Sequence, residues 1–324
     1  MSAVLVIRPS SLGDIVHALA LVRDVQAARP GLAIDWIAEE SFLSLVALDR
    51  GVRRVIPVAL RRWRHASLAA ATWREFTAFR QQLRRDEYVA VLDLQEQVKG
   101  ALLARMARGV RHGPDRHSIR EPIATLAHDV HHRIDPHQHL VDRCRQLAAA
   151  ALGYVCVGRP CFDFAVPPVL ATDLPQGPFV VCVHATSRDE KLWPERHWRA
   201  LIAAFAARGY AILLPWGTDA ERVRAERLAA DGSGAIPSPR LALPALAGLL
   251  ARAALVVGVD TGLVHLAAAL GTPTVSLFVA TNSELAGVER IGALARDLGG
   301  VGSVPMPDEV LSAAGVLLQR SPRR

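Results

Sequence analysis

The sequence predicts an α/β protein with two parallel β-sheets, and two observations support that prediction. Short apolar runs, typical of buried strands, alternate with segments of helical period along the 324 residues. The alternation has the same form on both sides of a proline-rich stretch near the middle of the chain. Since helices between parallel strands cover both faces of a sheet, the simplest architecture is two Rossmann-like domains facing each other across a cleft.

Each predicted element follows from its own pattern. Apolar runs predict strands at residues 4–7, 34–37, 54–57 and 89–92 in the first half, and at 179–183, 211–215, 255–259 and 274–278 in the second. Amphipathic segments predict helices at residues 15–28, 75–84 and 308–318. We expect a first domain over residues 1–160, a linker over 161–178 and a second domain over 179–324.

The composition is that of a globular protein without a membrane span. Hydrophobic residues make up 51% of the chain, yet no apolar run approaches the roughly 20 residues of a transmembrane helix. The four cysteines show no C-x-x-C spacing, so we expect reduced thiols in a cytoplasmic protein. The chain enters a strand directly, without a secretory signal pattern, so secretion is not expected.

The net charge of +7 is unevenly distributed. Residues 1–160 contain 23 Lys and Arg against 16 Asp and Glu, whereas residues 161–324 contain 15 of each kind. The excess positive charge therefore belongs to the first half. It predicts an acidic partner there: a phosphorylated or carboxylated substrate, an anionic membrane, or nucleic acid.

Two loops in the second half have the residue types that hold phosphate. The predicted strand at 179–183 is followed by Thr186, Ser187 and Lys191, which offer hydroxyl groups and one cation. The strand at 255–259 runs into Asp260-Thr261-Gly262 and then directly into a helix, whose first N–H groups can receive an anion. Together the loops predict a nucleotide or nucleotide-sugar site.

Two further side chains could reach the same ligand. His265, one turn into the helix, is either a ligand contact or a packing histidine. Glu221 follows Pro215-Trp216-Gly217 and is a candidate for contacting ribose hydroxyls.

In the first half, Asp14 is the main candidate for acid–base chemistry. The turn Arg8-Pro9-Ser10-Ser11-Leu12-Gly13-Asp14 lacks the G-x-G-x-x-G pattern of dinucleotide sites. Asp14 lies at a predicted helix start beside the carboxyl end of a strand, where such sheets bind ligands. It is either an ordinary N-cap or a general base.

A basic cluster, Arg61-Arg62-Trp63-Arg64-His65, surrounds one aromatic ring. It is typical of a solvated face or an anion clamp, and nucleic-acid binding is the alternative. Arg120, with Arg116 and Lys99 in the same half, could extend a clamp for carboxylates or phosphates.

Five histidines lie between residues 128 and 139: His128, His131, His132, His137 and His139. They raise a metal hypothesis, but neither a cysteine nor an H-E-x-x-H motif supports a zinc site. No Asp-x-Asp is present to chelate a metal–diphosphate. We therefore expect neither a metal nor a cofactor.

These motifs, in this order, resemble the lipopolysaccharide heptosyltransferases, which are metal-independent GT-B glycosyltransferases, over nearly the whole chain. The matching segments are residues 10–14, 61–64, 120–122, 184–191, 215–217 with Glu221, and 260–265. The Arg-Arg-Trp-Arg and Arg-Glu-Pro elements favour heptosyltransferase I over heptosyltransferase II. The chain departs from the family pattern in two places. Val279-Ala280-Thr281-Asn282 stands where Gly-Pro-Thr is usual, and Glu96 stands where glycine is usual.

The resemblance implies transfer of L-glycero-D-manno-heptose from ADP-heptose to Kdo of Kdo2-lipid A, with inversion at the anomeric carbon. It implies a peripheral enzyme on the cytoplasmic face of the inner membrane, in which closure of the domains excludes water. Asp14 would be the catalytic base, and Lys191 would neutralise the leaving diphosphate. The implied acceptor contacts are Ser10, Ser11, Gly13, Arg61, Arg62, Arg64 and Arg120. The implied donor contacts are Thr186, Ser187, Lys191, Glu221, Leu241, Asp260, Thr261, Gly262 and His265.

Three alternatives remain open from the sequence. The acceptor could differ, as in heptosyltransferase II or a related core glycosyltransferase. The chain could be a nucleic-acid-binding protein, although its neutral second half and its single aromatic residue in the basic cluster argue against that. It could also bind a nucleotide sugar without catalysis, which Asp14 and Lys191 argue against.

Overall fold

A computed structural model of the chain describes residues 2–66, 69–168, 175, 177–230 and 232–321. The chain forms two compact units, Met1–Ala165 and Val166–Arg324. The division falls inside the predicted linker, of which residues 169–174 and 176 lie outside the described residues.

The first unit is a six-stranded parallel sheet with the strand order β3-β2-β1-β4-β5-β6. Its elements are β1 (Ala3–Ile7), α1 (Leu12–Ala28), β2 (Ala33–Glu39), α2 (Leu43–Val46), β3 (Val52–Val58), α3 (Leu60–His65), α4 (Ala70–Leu83), β4 (Tyr88–Asp93), α5 (Val98–Met106), β5 (Gly109–Pro114), β6 (Val130–His132) and α6 (Leu140–Leu152). Two segments, Glu40–Phe42 and Pro122–Ala127, form 3-10 helices.

The second unit is also a six-stranded parallel sheet, with the order β12-β11-β10-β7-β8-β9. Its elements are β7 (Phe179–Val183), α7 (Glu195–Ala206), β8 (Ala211–Leu214), α8 (Asp219–Ala229), β9 (Ala235–Pro237), α9 (Leu243–Arg252), β10 (Leu255–Val259), α10 (Gly262–Ala269), β11 (Thr274–Phe278), β12 (Ala295–Gly299) and α11 (Pro307–Arg320). Asp189–Lys191 and Ser283–Leu285 form 3-10 helices.

The two sheets share one topology. Within each unit the strands are arranged third, second, first, fourth, fifth and sixth. The chain therefore reverses its direction of travel across the sheet between the first and fourth strands, β1 and β4 in one unit and β7 and β10 in the other. In open parallel sheets, ligands bind at this switch point, beyond the carboxyl ends of the strands.

Each unit has its own hydrophobic core. The central strands β1, β7 and β10 are buried at every residue, which explains why they are continuous apolar runs rather than alternating patterns. In the second unit, Trp193, Trp198 and Phe205 pack on one face of the sheet. Of these residues, Trp193 lies in the loop after β7, and its burial and its 2.9 Å hydrogen bond to the carbonyl of Pro305 anchor that loop.

All eight predicted strands are present, and so are the helices predicted at 15–28, 75–84, after Gly262 and at 308–318, with ends that shift by a few residues. The shorter or more polar strands β5, β6, β9 and β12 were missed. They lie towards the sheet edges, where a strand needs less apolar sequence; β5, for example, contains Arg111, His112 and Pro114. Among the described residues, no helix combines the length and apolar character that crossing a bilayer requires.

Candidate active site

Both units place predicted ligand-binding residues in the loops after the first and fourth strands of the sheet. These loops flank the switch point of each sheet. One cluster, here called the Asp14 site, comprises Arg8, Ser10, Ser11, Asp14 and Lys99. The other, the Asp260 site, comprises Thr186, Lys191, Asp260, His265 and Thr281.

The Asp14 site is built around one carboxylate in the first turn of α1, next to Gly13. Oδ2 of Asp14 accepts hydrogen bonds from the backbone N–H and the hydroxyl of Ser11, both at 2.9 Å. The N-cap is Ser11, so the interpretation of Asp14 as the N-cap is wrong; Asp14 closes a capping box instead. Oδ1 of Asp14 lies 3.1 Å from Nη2 of Arg8, whose side chain is 6% exposed.

This environment keeps Asp14 ionised. Burial by itself would raise the pKa of the Asp14 carboxyl, but the charge of Arg8 and the hydrogen bonds from Ser11 outweigh burial, so the pKa is lowered. The side chain is still 35% exposed, so a ligand can reach it. An accessible carboxylate that is ionised at neutral pH can accept a proton from a hydroxyl group.

Positive charge surrounds this carboxylate. Nζ of Lys99 lies 3.4 Å from the hydroxyl of Ser10. Burial, followed by the charges of Arg8 and Arg61, lowers the pKa of the Lys99 amine, so these three cations share one electropositive region. The sequence pointed to Lys99 and Arg61. It did not single out Arg8, although an arginine that directly follows a buried strand is a usable signal.

The other arginines predicted on the acceptor side lie on the surface of the first unit. Arg62 forms ion pairs with Glu40 and Glu75, each at 2.8 Å, so its charge is already partnered. The side chains of Arg64 and Arg120 are exposed, and neither forms an ion pair with another described residue. These two arginines therefore remain available to an anionic ligand.

The histidine-rich segment is occupied by structural contacts. Four of its histidines have partners inside the first unit: His128 with Asp93, His132 with His112, His131 with the carbonyl of Thr125, and His139 with the N–H of Val141. The His128–Asp93 contact, at 3.0 Å, is fully buried on both sides. Across the described residues, no group of three or more His, Cys, Asp or Glu side chains is arranged to hold a metal ion.

Glu96, one of the two departures from the family pattern, has an unusual backbone. Its φ of 58° is left-handed, and no other non-glycine residue in the described part of the chain has a positive φ. Its buried carboxylate pairs with Arg143, whose Nη2 also donates to the carbonyl of Ser118 at 3.3 Å. The Glu96 carbonyl accepts from the N–H of Glu121 at 3.1 Å. Glu96 thus fastens the loop after β4 to the Arg120-Glu121-Pro122 segment.

We expect Glu96→Ala to destabilise the protein by about 0.5–1 kcal/mol more than Glu96→Gly. Both variants remove the carboxylate and leave Arg143 without its partner, so they differ in the Cβ atom. Glycine tolerates the left-handed backbone, and its more flexible unfolded chain offsets only part of that gain. Urea unfolding of both variants measures the difference. An equal loss, or a larger loss for glycine, would show that the backbone at this position is not strained.

The Asp260 site gathers side chains from three loops around a second carboxylate. Oδ2 of Asp260 lies 2.6 Å from Nζ of Lys191 and 2.8 Å from Oγ1 of Thr281, and Oδ1 lies 3.4 Å from Nε2 of His265. The hydroxyl of Thr186 donates to the Asp260 carbonyl at 3.5 Å. The sequence pointed to all of these residues except Thr281, which lies in the other segment that departs from the family pattern.

Lys191 therefore already has a counter-ion. The side chains of Lys191 and Asp260 are only 16% and 12% exposed. Burial by itself would raise the pKa of Asp260, but hydrogen bonds and charges from His265 and Lys191 lower it well below its usual range. Asp260 thus stays ionised at neutral pH and orients the Lys191 amine.

The start of α10 adds neutral donors beside this pair. Thr261, in an extended conformation, is the N-cap, and Gly262 is the first helical residue. The first N–H groups of a helix lack intrahelical partners and favour an anion. Ser187, in the loop after β7, has an exposed side chain. The ammonium group of Lys191, the hydroxyls of Thr186 and Ser187 and the N–H groups at the start of α10 are together suited to bind a diphosphate.

The structure gives Glu221 a local role as well. Its Oε2 accepts from the N–H groups of Gly217 at 2.7 Å and Thr218 at 3.2 Å, closing a capping box at the start of α8. Only its second oxygen is left for a ribose hydroxyl. Leu241 is half-buried just before α9, in the loop after β9.

His184, the first residue after β7, makes the stability of the protein depend on pH. Burial, with a smaller contribution from the charge of Arg224, lowers the pKa of His184 from 6.5 to about 4. The folded state therefore binds this proton less readily than the unfolded state. The corresponding stability is present above pH 6.5 and is lost as the pH falls towards 4.

Between pH 7 and pH 5 we expect His184 to account for a loss of about 2 kcal/mol in the free energy of unfolding. The variant His184→Gln lacks this titrating group. Its free energy of unfolding should therefore fall by about 2 kcal/mol less between pH 7 and pH 5 than that of the wild type. Urea unfolding of both proteins at the two pH values measures this. Parallel losses in the wild type and the variant would rule out His184 as the source.

Comparison with known proteins supports the prediction made from the motifs. Residues 76–304 match the family described as Glycosyltransferase family 9 (heptosyltransferase). Lipopolysaccharide heptosyltransferase 1 of Escherichia coli (strain K12) is 44% identical over 289 residues, which are 88% of this chain and 90% of that protein.

Two solved structures have the same fold. The E. coli heptosyltransferase WaaC with ADP is 39% identical, with a TM-score of 0.89 over 97% of this chain and 99% of that one. WaaC with ADP-2-deoxy-2-fluoro heptose is 38% identical, with a TM-score of 0.85 over 98% of this chain and 100% of that one. The predicted α/β, GT-B fold class is confirmed.

The similarity also decides between the alternatives left open by the sequence. A relative named lipopolysaccharide heptosyltransferase 1 matches most of the chain, which confirms the resemblance to heptosyltransferase I. The similarity favours neither heptosyltransferase II nor a nucleic-acid-binding protein. The predicted glycosyltransferase activity is likewise confirmed by the family match. The chain belongs to glycosyltransferase family 9, the heptosyltransferases.

Proposed function

We propose that this glycosyltransferase moves L-glycero-D-manno-heptose from ADP-heptose to Kdo of Kdo2-lipid A, with inversion, as heptosyltransferase I does. The solved relatives that hold ADP and a fluorinated ADP-heptose support the donor. The observation that carries the proposal is the Asp260 site, where a lysine, hydroxyls and a helix start converge. That combination suits the diphosphate of a nucleotide sugar.

On the donor side, Lys191 has the main chemical role. As the bond between the anomeric carbon and the diphosphate breaks, negative charge develops on the leaving ADP. The Lys191 amine and the N–H groups at Thr261 and Gly262 stabilise that charge. The hydroxyls of Thr186 and Ser187 complete the phosphate contacts.

The nucleoside would be held by other parts of the second unit. Asp260 orients the Lys191 amine through Oδ2, and His265 contacts Oδ1 of the same carboxylate. Glu221 contacts the ribose through its second oxygen, and Leu241 lies against adenine.

On the acceptor side, Asp14 is the base. Its ionised carboxylate removes the proton from the Kdo hydroxyl as the hydroxyl oxygen attacks the anomeric carbon from the face opposite ADP. The anomeric carbon passes through an oxocarbenium-like transition state, and the new bond forms with inverted configuration. Arg8 and Ser11 keep Asp14 ionised and correctly placed.

The acceptor would be held by cations around Asp14. Ser10, Gly13 and Lys99 border the carboxylate, and Arg61, Arg64 and Arg120 offer charge to Kdo carboxylates and lipid A phosphates. Arg62 contributes indirectly, since its pairs with Glu40 and Glu75 hold α3 in place. This role accounts for the concentration of positive charge in the first half of the sequence.

We place the protein on the cytoplasmic face of the inner membrane, where this acceptor is found.

The test is transfer from ADP-heptose to Kdo2-lipid A without added metal, followed by mass spectrometry of the lipid. A gain of one heptose is the expected result, and its persistence in excess chelator would support leaving-group stabilisation by Lys191. If ADP-heptose binds tightly in calorimetry but no product forms, the acceptor assignment is wrong. If ADP-heptose does not bind, the donor assignment is wrong as well.

A further inference from the structure

The first unit carries an exposed apolar surface that neither the fold nor the chemistry uses. Four large side chains on α5 and on the adjacent 3-10 helix Pro122–Ala127 point to solvent. Their exposed fractions are 40% for Val98, 55% for Leu102, 65% for Ile123 and 78% for Leu126. We call these four residues the apolar patch.

The four side chains form one surface because the two helices pack side by side. Ala101 of α5 and Ala124 and Ala127 of the 3-10 helix share a small buried cluster. At one end, the N–H of Val98 donates to the Glu121 carboxylate at 2.8 Å. At the other end, Nη1 of Arg105 donates to the carbonyl of Leu126 at 3.5 Å.

The spacing along each helix keeps the patch continuous. Val98 and Leu102 are four residues apart on an α-helix, so they share a face. Ile123 and Leu126 are three residues apart on a 3-10 helix, which has three residues per turn, so they also share a face. An exposed cluster of this kind is typical of an interaction site rather than of scattered surface residues.

Exposed cations surround the patch. Lys99 and Arg105 lie on α5 beside it, and Arg120 precedes the 3-10 helix; no ion pair with another described residue neutralises any of them. The acidic groups nearby are already bound: Glu121 accepts from Gln97 and Val98, and Asp129 pairs with Arg111. The surface is therefore apolar at its centre and positive at its rim.

That combination distinguishes between two kinds of partner. A second copy of this chain would bring an equal set of cations against the first, which like-charge repulsion opposes. A bilayer with anionic headgroups attracts the cations and takes up the apolar side chains below them. The position of the patch is consistent with a membrane partner, because Lys99 beside the patch also contacts the Asp14 site: its Nζ lies 3.4 Å from the hydroxyl of Ser10.

We propose that the apolar patch, with Lys99, Arg105 and Arg120, docks the first unit on an anionic lipid bilayer. Docking there brings the Asp14 site to an acceptor that is itself anchored in the membrane. This second statement rests on the proposed acceptor, whereas lipid binding does not.

The test is cosedimentation of the full chain with vesicles of phosphatidylglycerol and phosphatidylethanolamine, without donor or acceptor. We expect the double variant Ile123→Asp, Leu126→Asp to bind about tenfold more weakly, since it replaces apolar contact with charge. Both side chains are largely exposed, so folding should be retained, and a circular dichroism melt checks this.

The matched control is Val155→Asp, Val157→Asp. These residues are 82% and 79% exposed, and they follow α6, whose end contacts Arg29 at the amino edge of the same sheet. The control should bind vesicles like the wild type. Equal loss in both double variants, or wild-type binding that ignores salt and anionic lipid content, would overturn the proposal. So would a concentration-dependent dimer, in sedimentation equilibrium, that the patch variant abolishes.

A second assay separates this proposal from the enzymatic one. With a water-soluble Kdo acceptor that lacks acyl chains, the patch variant should transfer heptose at the wild-type rate. With the acceptor in vesicles, it should be slower. If the wild type transfers heptose to neither acceptor, the proposed function fails, and vesicle binding still decides the docking surface. If the patch variant is equally slow with both acceptors, the patch belongs to the catalytic unit and the docking proposal fails.

Discussion

Asp14→Asn should lower kcat for heptose transfer by about 10²–10⁴-fold, the range that a general base contributes. Asparagine keeps the shape of the side chain and can still accept the hydrogen bond from the Ser11 N–H, but it cannot take the acceptor proton. Because Arg8 and Ser11 lower the pKa of Asp14, the base is ionised throughout the neutral range. The wild-type rate should therefore not fall through protonation of this group between pH 8 and pH 5.

The controls separate chemistry from structure. Binding of ADP-heptose, measured by calorimetry, should change little in Asp14→Asn, since the Asp14 site belongs to the first unit and the proposed donor contacts belong to the second. Ser11→Ala removes the hydroxyl hydrogen bond to Asp14 but leaves the carboxylate, the Ser11 N–H bond and the Arg8 pair; we expect it to cost about 1 kcal/mol of stability and to lower kcat far less than Asp14→Asn does. Turnover near the wild-type value in Asp14→Asn would exclude Asp14 as the base.

Lys191→Met should lower kcat by about 10²–10³-fold, as removal of one preorganised donor to a developing anion does in other enzymes. Methionine has a similar length and no charge, so the loss reports the ammonium group rather than the packing. Lys191→Arg, which keeps the charge, should retain more activity. Steady-state kinetics with both substrates measures each variant.

Asp260 offers a sharper control, because Lys191 could matter only as its ion-pair partner. In the double variant Lys191→Met, Asp260→Asn, no unpaired buried carboxylate is left, so the structural cost of losing the 2.6 Å pair is removed. If Lys191 acts on the leaving group, the double variant stays slow. Recovery of activity in the double variant would show that the lysine only neutralises Asp260.

The sequence predicted those strands and site residues that can be recognised from residues close to them along the chain. Strands such as β1 and β10 are buried on both faces, so their apolar runs are visible without a structure. The same holds for Asp260, which directly follows β10, and for Thr186, which lies three residues beyond the end of β7. Edge strands lack such an apolar run. For example, β6 is three residues long and includes His131 and His132.

The sequence did not predict the ion pairs, because their two residues lie far apart along the chain. The Lys191–Asp260 pair joins residues 69 positions apart, and the Glu96–Arg143 pair joins residues 47 positions apart. Neither pair follows a local spacing rule. Glu96 could be recognised as a departure from the family pattern, but its left-handed backbone and its buried partner become visible only in three dimensions.

In the proposed mechanism, the Lys191–Asp260 contact also affects how the enzyme recovers after each reaction. Because the lysine is paired before any nucleotide arrives, binding of a diphosphate is an exchange of one anion for another. When ADP leaves, Asp260 takes back the ammonium group, so the departing product does not expose an unpaired buried cation. Because this internal carboxylate competes with the diphosphate of donor and product alike, it weakens the binding of both and shortens the time for which ADP occupies the site.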